Sequence, residues 1–63
     1  MVDGAKIKSL REEKGLSGAE LGEIVGVGQA MVSHIERNFK RPTAELLKRI
    51  ADCFEVKVDE LYR

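Results

Sequence analysis

Sixty-three residues carry eleven basic and eleven acidic side chains, with one histidine and one cysteine. A chain this short buries only about 60% of the surface it exposes when unfolded and has little room for a catalytic cleft; the lone cysteine and histidine exclude an internal disulfide and the usual metal-ligand sets. With 43% hydrophobic and 35% charged residues the composition is that of a folding chain, and no apolar run nears the roughly 20 residues that span a bilayer or forms a signal peptide, so the expectation is a cytoplasmic protein.

Asp3 is placed to cap a first helix running to about Lys14, with Ile7 and Leu10 as its buried stripe and Lys6, Lys8, Arg11, Glu12 and Glu13 around the remainder. Gly15 and Leu16 have the pattern of a left-handed cap followed by an apolar residue, and Ser17 with Glu20 fits a capping box that opens a second helix, about Gly18 to Val25. That helix buries Leu21 and Val25, and Gly22 on the same side lets a neighbouring helix approach closely, at some cost in helix propensity. Gly26 and Val27 repeat the cap-plus-apolar pattern. Gly28 then starts a third helix, Gln29 to Glu36, with Val32 and Ile35 pointing inward. Pro42 stops any earlier helix, and Thr43 caps a fourth, Ala44 to Phe54, which buries Leu47, Ile50, Ala51 and Phe54 and is braced by Glu45 and Arg49 at i,i+4. Val56 and Val58 lead into a last turn, Asp59 to Tyr62, whose Leu61 closes the core. No alternating run is long enough to argue for a sheet.

Helix, tight glycine turn and helix form a nucleic-acid-docking geometry. Gln29, Ala30, Ser33 and His34 stay outward on the third helix. A glutamine amide pairs bidentately with adenine, and an alanine packs on a thymine methyl. His34, with an ordinary pKa of about 6.5, is a base-edge donor or acceptor on this reading and an exposed residue meeting phosphate or water on the plainer one. Arg37, Lys40 and Arg41 follow without an intervening acid, whereas Asp52, Glu55, Asp59 and Glu60 crowd the C-terminus. This segregation suits phosphate contact, or simply a solvated surface that balances helix dipoles; the zero net charge weighs against nucleic acid, because phosphate contacts supply much of the affinity. Cys53 and Met31 read as packing side chains rather than reactive or contacting ones.

Four stretches, IKSLREEKGLS, ELGEIVGVGQAMVSHIER, RPTAELLKRIA and VKVDELY, occur in this order and spacing. From about Ile7 to Tyr62 the chain thereby resembles the Cro/C1-type helix-turn-helix family, also called the Xre family. The resemblance implies an all-α, compact, five-helix, lambda repressor-like fold, with residues 1–63 forming one DNA-binding domain. It also implies a cytoplasmic transcription regulator, most simply a repressor, that binds double-stranded DNA as a homodimer on paired half-sites. No catalytic residues, cofactor, metal or small-molecule ligand are implied.

Carried over by position, Gln29 matches the first base-reading residue, and Ala30, Ser33 and His34 match the other groove-facing positions. Asn38, Lys40 and Arg41, preceded by the basic Arg37, match the loop that grips phosphates through backbone N–H groups and side chains. Ser17 begins the helix whose N-terminus faces the sugar-phosphate strand. Gly18 stands where many relatives carry a glutamine that contacts phosphate and buttresses the recognition helix. Arg11 and Glu36 resemble the family's buried ion pair between helices one and three. Asn38 and Glu55 replace glycines common in the family, Ile24 occupies a usually polar position, and Leu61 with Tyr62 either extends into a dimer interface or caps the core. The alternative to a regulator is a protein-interaction module on the same scaffold, antitoxin-like or a co-regulator, with weak or no DNA binding.

Overall fold

The computed structural model describes residues 1–63. Asp3 opens α1 (Gly4–Glu13) by accepting the Lys6 N–H on its carboxylate at 3.1 Å, which satisfies one of the donors a helix start leaves unpaired. Lys14 is the cap rather than part of the helix; Gly15 then takes φ +70°, and the Leu16 N–H reaches back to the Arg11 carbonyl at 3.1 Å. Ser17 starts α2 (Gly18–Val25) with a complete capping box: its Oγ accepts the Glu20 N–H at 3.0 Å, and Glu20 Oε1 accepts the Ser17 N–H at 2.8 Å. Gly26, left-handed at φ +84°, ends α2, and the Gly26 and Val27 N–H groups both donate to the Gly22 carbonyl at 2.8 Å. Then come α3 (Gln29–Glu36) and, after the buried Pro42, α4 (Ala44–Phe54), opened by Thr43 Oγ1 accepting the Leu46 N–H at 3.1 Å.

There are four α-helices, not the five the resemblance implies. The fifth segment, Val58–Leu61, is a single 3-10 turn closed by Glu60 N–H to Lys57 carbonyl (2.9 Å) and Tyr62 N–H to Asp59 carbonyl (3.2 Å). Tyr62 leaves it in extended backbone and bridges Val2 antiparallel, with Asp3 N–H on the Leu61 carbonyl at 2.8 Å and Arg63 N–H on the Met1 carbonyl at 2.9 Å. Those long-range bonds take up the backbone groups that another helical turn would need. They also carry Val2 into the core, a position no helical periodicity marks.

The core takes Ile7 from α1, Leu21 and Val25 from α2, Val32 and Ile35 from α3, Leu47, Ile50, Ala51 and Phe54 from α4, and Leu61. Leu10 is only half-buried against it, as are Met31 and Cys53. No helix is long and apolar enough to cross a membrane.

Two features bind α1 to α3. Gly4 is buried beneath the end of α3: a Cβ there would collide with the Glu36 carbonyl and lie 2.5 Å from that of Ile35, so the close approach needs a residue without a side chain. Further along, Arg11 Nε donates to Glu36 Oε2 at 2.7 Å and Nη2 to Oε1 at 3.1 Å, a bidentate pair, while Nη1 donates to the Leu16 carbonyl at 2.8 Å. The hydrogen bond to Glu36 holds the Arg11 guanidinium more firmly protonated than a free one, against the opposing effect of burial. Side-chain exposure is 13% for Arg11 and 7% for Glu36.

Glu36→Ala strands the guanidinium and is expected to cost about 3 kcal/mol, the lower end for a broken buried pair because some solvent contact remains. Replacing both partners by apolar side chains, Arg11→Met with Glu36→Leu, recovers most of that loss in chemical denaturation; equal losses for the single and double variants would show that the cost is that of the lost pair and not of a stranded guanidinium.

Candidate nucleic-acid interface

The turn between α2 and α3 decides where the exposed face of α3 stands. At Gly22 a Cβ would lie 2.5 Å from the Val27 carbonyl, so it is the turn after its own helix, rather than a neighbouring helix, that the missing side chain admits. Gly28 sits in extended backbone at the N-cap with no side-chain cap bond. The N–H groups of Gln29, Ala30 and Met31 therefore have no partner within the protein, and the start of α3 is open.

On α3, Gln29, Ser33 and the capping residue Arg37 fall at i, i+4 and i+8, one face of the helix. They line a shallow groove of about 240 Å³ with Gly18 and the α1 residues Lys8 and Arg11. Gln29 and Arg37 are exposed, Ser33 is half-buried, and none of the three side chains has a hydrogen-bond or ion-pair partner. Gly18 opens this groove: a Cβ there would sit 3.7 Å from Gln29 Cγ and 3.9 Å from Val32 Cγ1, an ordinary contact, so space beside Gln29 stands unfilled. Ala30 (exposed) and His34 (half-buried) lie outside the groove lining; the His34 ring is 6.3 Å from that of Phe39 in the following loop and tilted by 37° to it.

A second depression of about 210 Å³ is lined by Met1, Val2, Asn38, Lys40 and Arg41. Lys40 and Arg41 are exposed and face no carboxylate. Asn38 is committed to the fold. At φ +59° its Oδ1 accepts the Gly4 N–H at 3.2 Å and its Nδ2 donates to the Val2 carbonyl at 2.8 Å, so its orientation is fixed by the fold and only its second Nδ2–H is left for another acceptor. The N–H groups of Asn38, Phe39 and Lys40 are also spent, on the Ile35 and His34 carbonyls, at 3.0, 2.7 and 3.2 Å. What the loop can offer an anion is therefore the Lys40 and Arg41 side chains rather than a row of backbone donors.

The start of α2 is modified in a similar way. Ser17 Oγ and the Ser17 and Glu20 N–H groups are used by the capping box, and the box leaves the fully solvated Glu20 carboxylate at the helix end. The Ser17 backbone N–H, then the Ser17 side chain, hold that carboxyl below its ordinary value of 4.5. Lys8 lines the groove and Glu20 stands at the start of α2, though the family pattern marks neither. A capping box was legible for Glu20, but its negative charge beside a would-be phosphate track is apparent only once α2 is placed. No cluster of three or more histidine, cysteine or acidic side chains is arranged to hold a metal.

Residues 7–61 match the helix-turn-helix family. Over 59 residues the chain is 39% identical to the HTH-type transcriptional regulator SinR of Bacillus subtilis (strain 168), a match that covers 92% of this chain and 53% of SinR, so the chain spans about half the length of that relative. Its backbone is similar to that of the P22 c2 repressor in complex with a synthetic operator, with TM-score 0.93, 27% identity, and coverage of 100% of this chain and 96% of the repressor chain. It is also similar to SinR in complex with DNA, with TM-score 0.84, 39% identity, and coverage of 92% and 94%.

Because folding lowers the Glu20 pKa, its contribution to stability is complete above 4.5 and is lost as pH falls through the lowered value. Glu20→Gln keeps an acceptor for the Ser17 N–H but removes the titration. The acid limb of thermal stability is expected to flatten in this variant; an unchanged limb would assign acid sensitivity to other carboxylates.

Proposed function

The chain belongs to the Cro/C1-type helix-turn-helix family, and on that premise we propose that it is a sequence-specific DNA-binding transcriptional regulator whose α3 enters the major groove. The observation that carries this reading is the face of Gln29, Ser33 and Arg37, whose side chains have no hydrogen-bond or ion-pair partner, beside an uncapped helix start. Gln29 is the base reader, through its bidentate amide. Ala30, Ser33 and His34 flank it, Ser17 and Gly18 approach the sugar-phosphate strand, and Arg37, Lys40 and Arg41 supply charge to phosphates. Asn38 acts indirectly, by holding the loop. Repression follows from occupying a promoter.

Residues 1–63 act as one DNA-binding unit, in the cytoplasm, without catalysis and without a cofactor or small-molecule ligand. On paired half-sites the unit works as a homodimer. Its Cα extents of 24 × 23 × 19 Å allow two copies to lie side by side at the ~34 Å separation of adjacent major grooves. Leu61 is fully buried, so of the two C-terminal apolar residues only Tyr62, 46% exposed, is available to a partner copy.

A second reading, a protein-interaction module with weak DNA binding, is favoured by three observations: zero net charge, the Glu20 carboxylate at the start of α2, and Ile24 left 57% exposed. Salt separates the two, since binding through phosphates weakens steeply with ionic strength. Selection of duplexes from a random pool at low salt, followed by titration across ionic strengths, should return an inverted repeat with a steep salt slope; no enrichment would favour the protein partner.

On the selected site Gln29→Ala is expected to cost about 1–3 kcal/mol while leaving binding to unrelated duplex nearly intact. Lys40→Ala should weaken all sequences alike and lower the salt slope by about one. Equal losses for Gln29→Ala on both kinds of duplex would remove it from base reading.

A further inference from the structure

Phe39 is not held by the core; its ring meets only the His34 ring, 6.3 Å away, and the Arg37 side chain. It is 69% exposed, in the loop between α3 and α4, and contributes nothing to the core. What lies over its ring is the Arg37 guanidinium, with Cζ 4.7 Å from the ring centroid, inside the range of cation–π attraction. The chain has five arginines, and three of them face carboxylates: Arg11 on Glu36 at 2.7 Å, Arg49 on Glu45 at 2.8 Å and Arg63 on Asp3 at 3.6 Å. Arg41 has no partner. Arg37 alone is held in place by a group that neutralises none of its charge. An aromatic face attracts the cation without accepting any of the five guanidinium N–H donors, so the side chain is ordered while its hydrogen-bonding capacity stays whole.

Building on the DNA-binding reading above, we infer that Phe39 is a positioning residue for DNA: its ring fixes Arg37 at the end of the groove-lining face of α3, ready for a phosphate. The gain comes from order prepared in the free protein. A long side chain immobilised only on binding loses rotamer freedom at that moment, and one already restrained loses less. The same geometry accounts for an exposed phenylalanine beside a helix that otherwise presents polar groups.

The test is binding of a labelled random-sequence duplex at low salt by the full chain and by Phe39→Ala, Phe39→Trp, Arg37→Ala and the double alanine variant, with melting temperatures alongside. Phe39→Ala should weaken binding about 2- to 5-fold, the scale of an exposed cation–π contact, and should leave the melting temperature nearly unchanged. Phe39→Trp should restore binding. In the Arg37→Ala background, removing Phe39 should change nothing. An equal loss with and without Arg37 would mean that the ring acts without Arg37, on the duplex itself or through His34, and no loss with Arg37 present would mean that the ring does not matter; either overturns the inference while leaving the DNA-binding reading intact. Failure of the unmodified chain to bind any duplex would overturn that reading, and the positioning role with it. Independently of DNA, the Arg37 δ-proton resonances should show a ring-current shift that Phe39→Ala abolishes; its absence would show that the ring does not hold Arg37.

Discussion

Arg11 holds three segments with one guanidinium. Two of its nitrogens bind the Glu36 carboxylate at the end of α3, and the third binds the Leu16 carbonyl in the link between α1 and α2. A point charge could not do this; the planar fork of arginine matches a carboxylate bidentately and still has a donor left for a carbonyl. Since α1 and α3 are separated in sequence by all of α2, this contact, with Gly4 packed beneath the Ile35 and Glu36 carbonyls, sets where α3 lies. In a chain with so small a core, losing about 3 kcal/mol at such a point takes most of the stability available.

The position of α3 relative to α2 rests on a different constraint, which is steric. The Gly22 carbonyl accepts both N–H groups that follow the helix, and the absence of a Cβ on the same residue makes room for the Val27 carbonyl as the chain folds back. Left-handed backbone at Gly26 provides the reversal. Once reversed, the chain has Val27 half-buried against the core, and α3 starts without a side-chain cap. An uncapped start leaves unsatisfied N–H groups, which cost least when they meet water or an approaching acceptor. The placement of the exposed α3 face and the open helix start therefore share one cause.

Charge is placed unevenly over this frame. Eleven cations and eleven anions cancel in total, yet Lys40 and Arg41 face no acid and Arg37 is held by an aromatic ring. The field at short range depends on these local groups, because charges beyond about 10 Å are screened at moderate salt. Glu20 and the unfilled space at Gly18 work against this concentration of positive charge at the other end of the groove. Together they leave positive charge concentrated at the end of α3 and a carboxylate beside unfilled space at the start of α2.

Local signals in the sequence determined the boundaries of α2, α3 and α4, the capping box at Ser17 and Glu20, the left-handed glycines, and the outward placement of Gln29 and Ala30, because capping and helical periodicity involve residues three or four apart. They also marked Arg11 and Glu36 as partners through the family pattern. Only the tertiary structure decided the rest. The Asn38 amide bridges Gly4 and Val2 across 34 and 36 residues; Val2 enters the core by pairing with Tyr62; that pairing leaves the last segment as a 3-10 turn rather than a fifth helix; and Arg37 settles on Phe39. None of these has a periodic signature, since each arises where distant segments or a loop meet and the geometry of the meeting selects which polar groups are spent and which remain exposed.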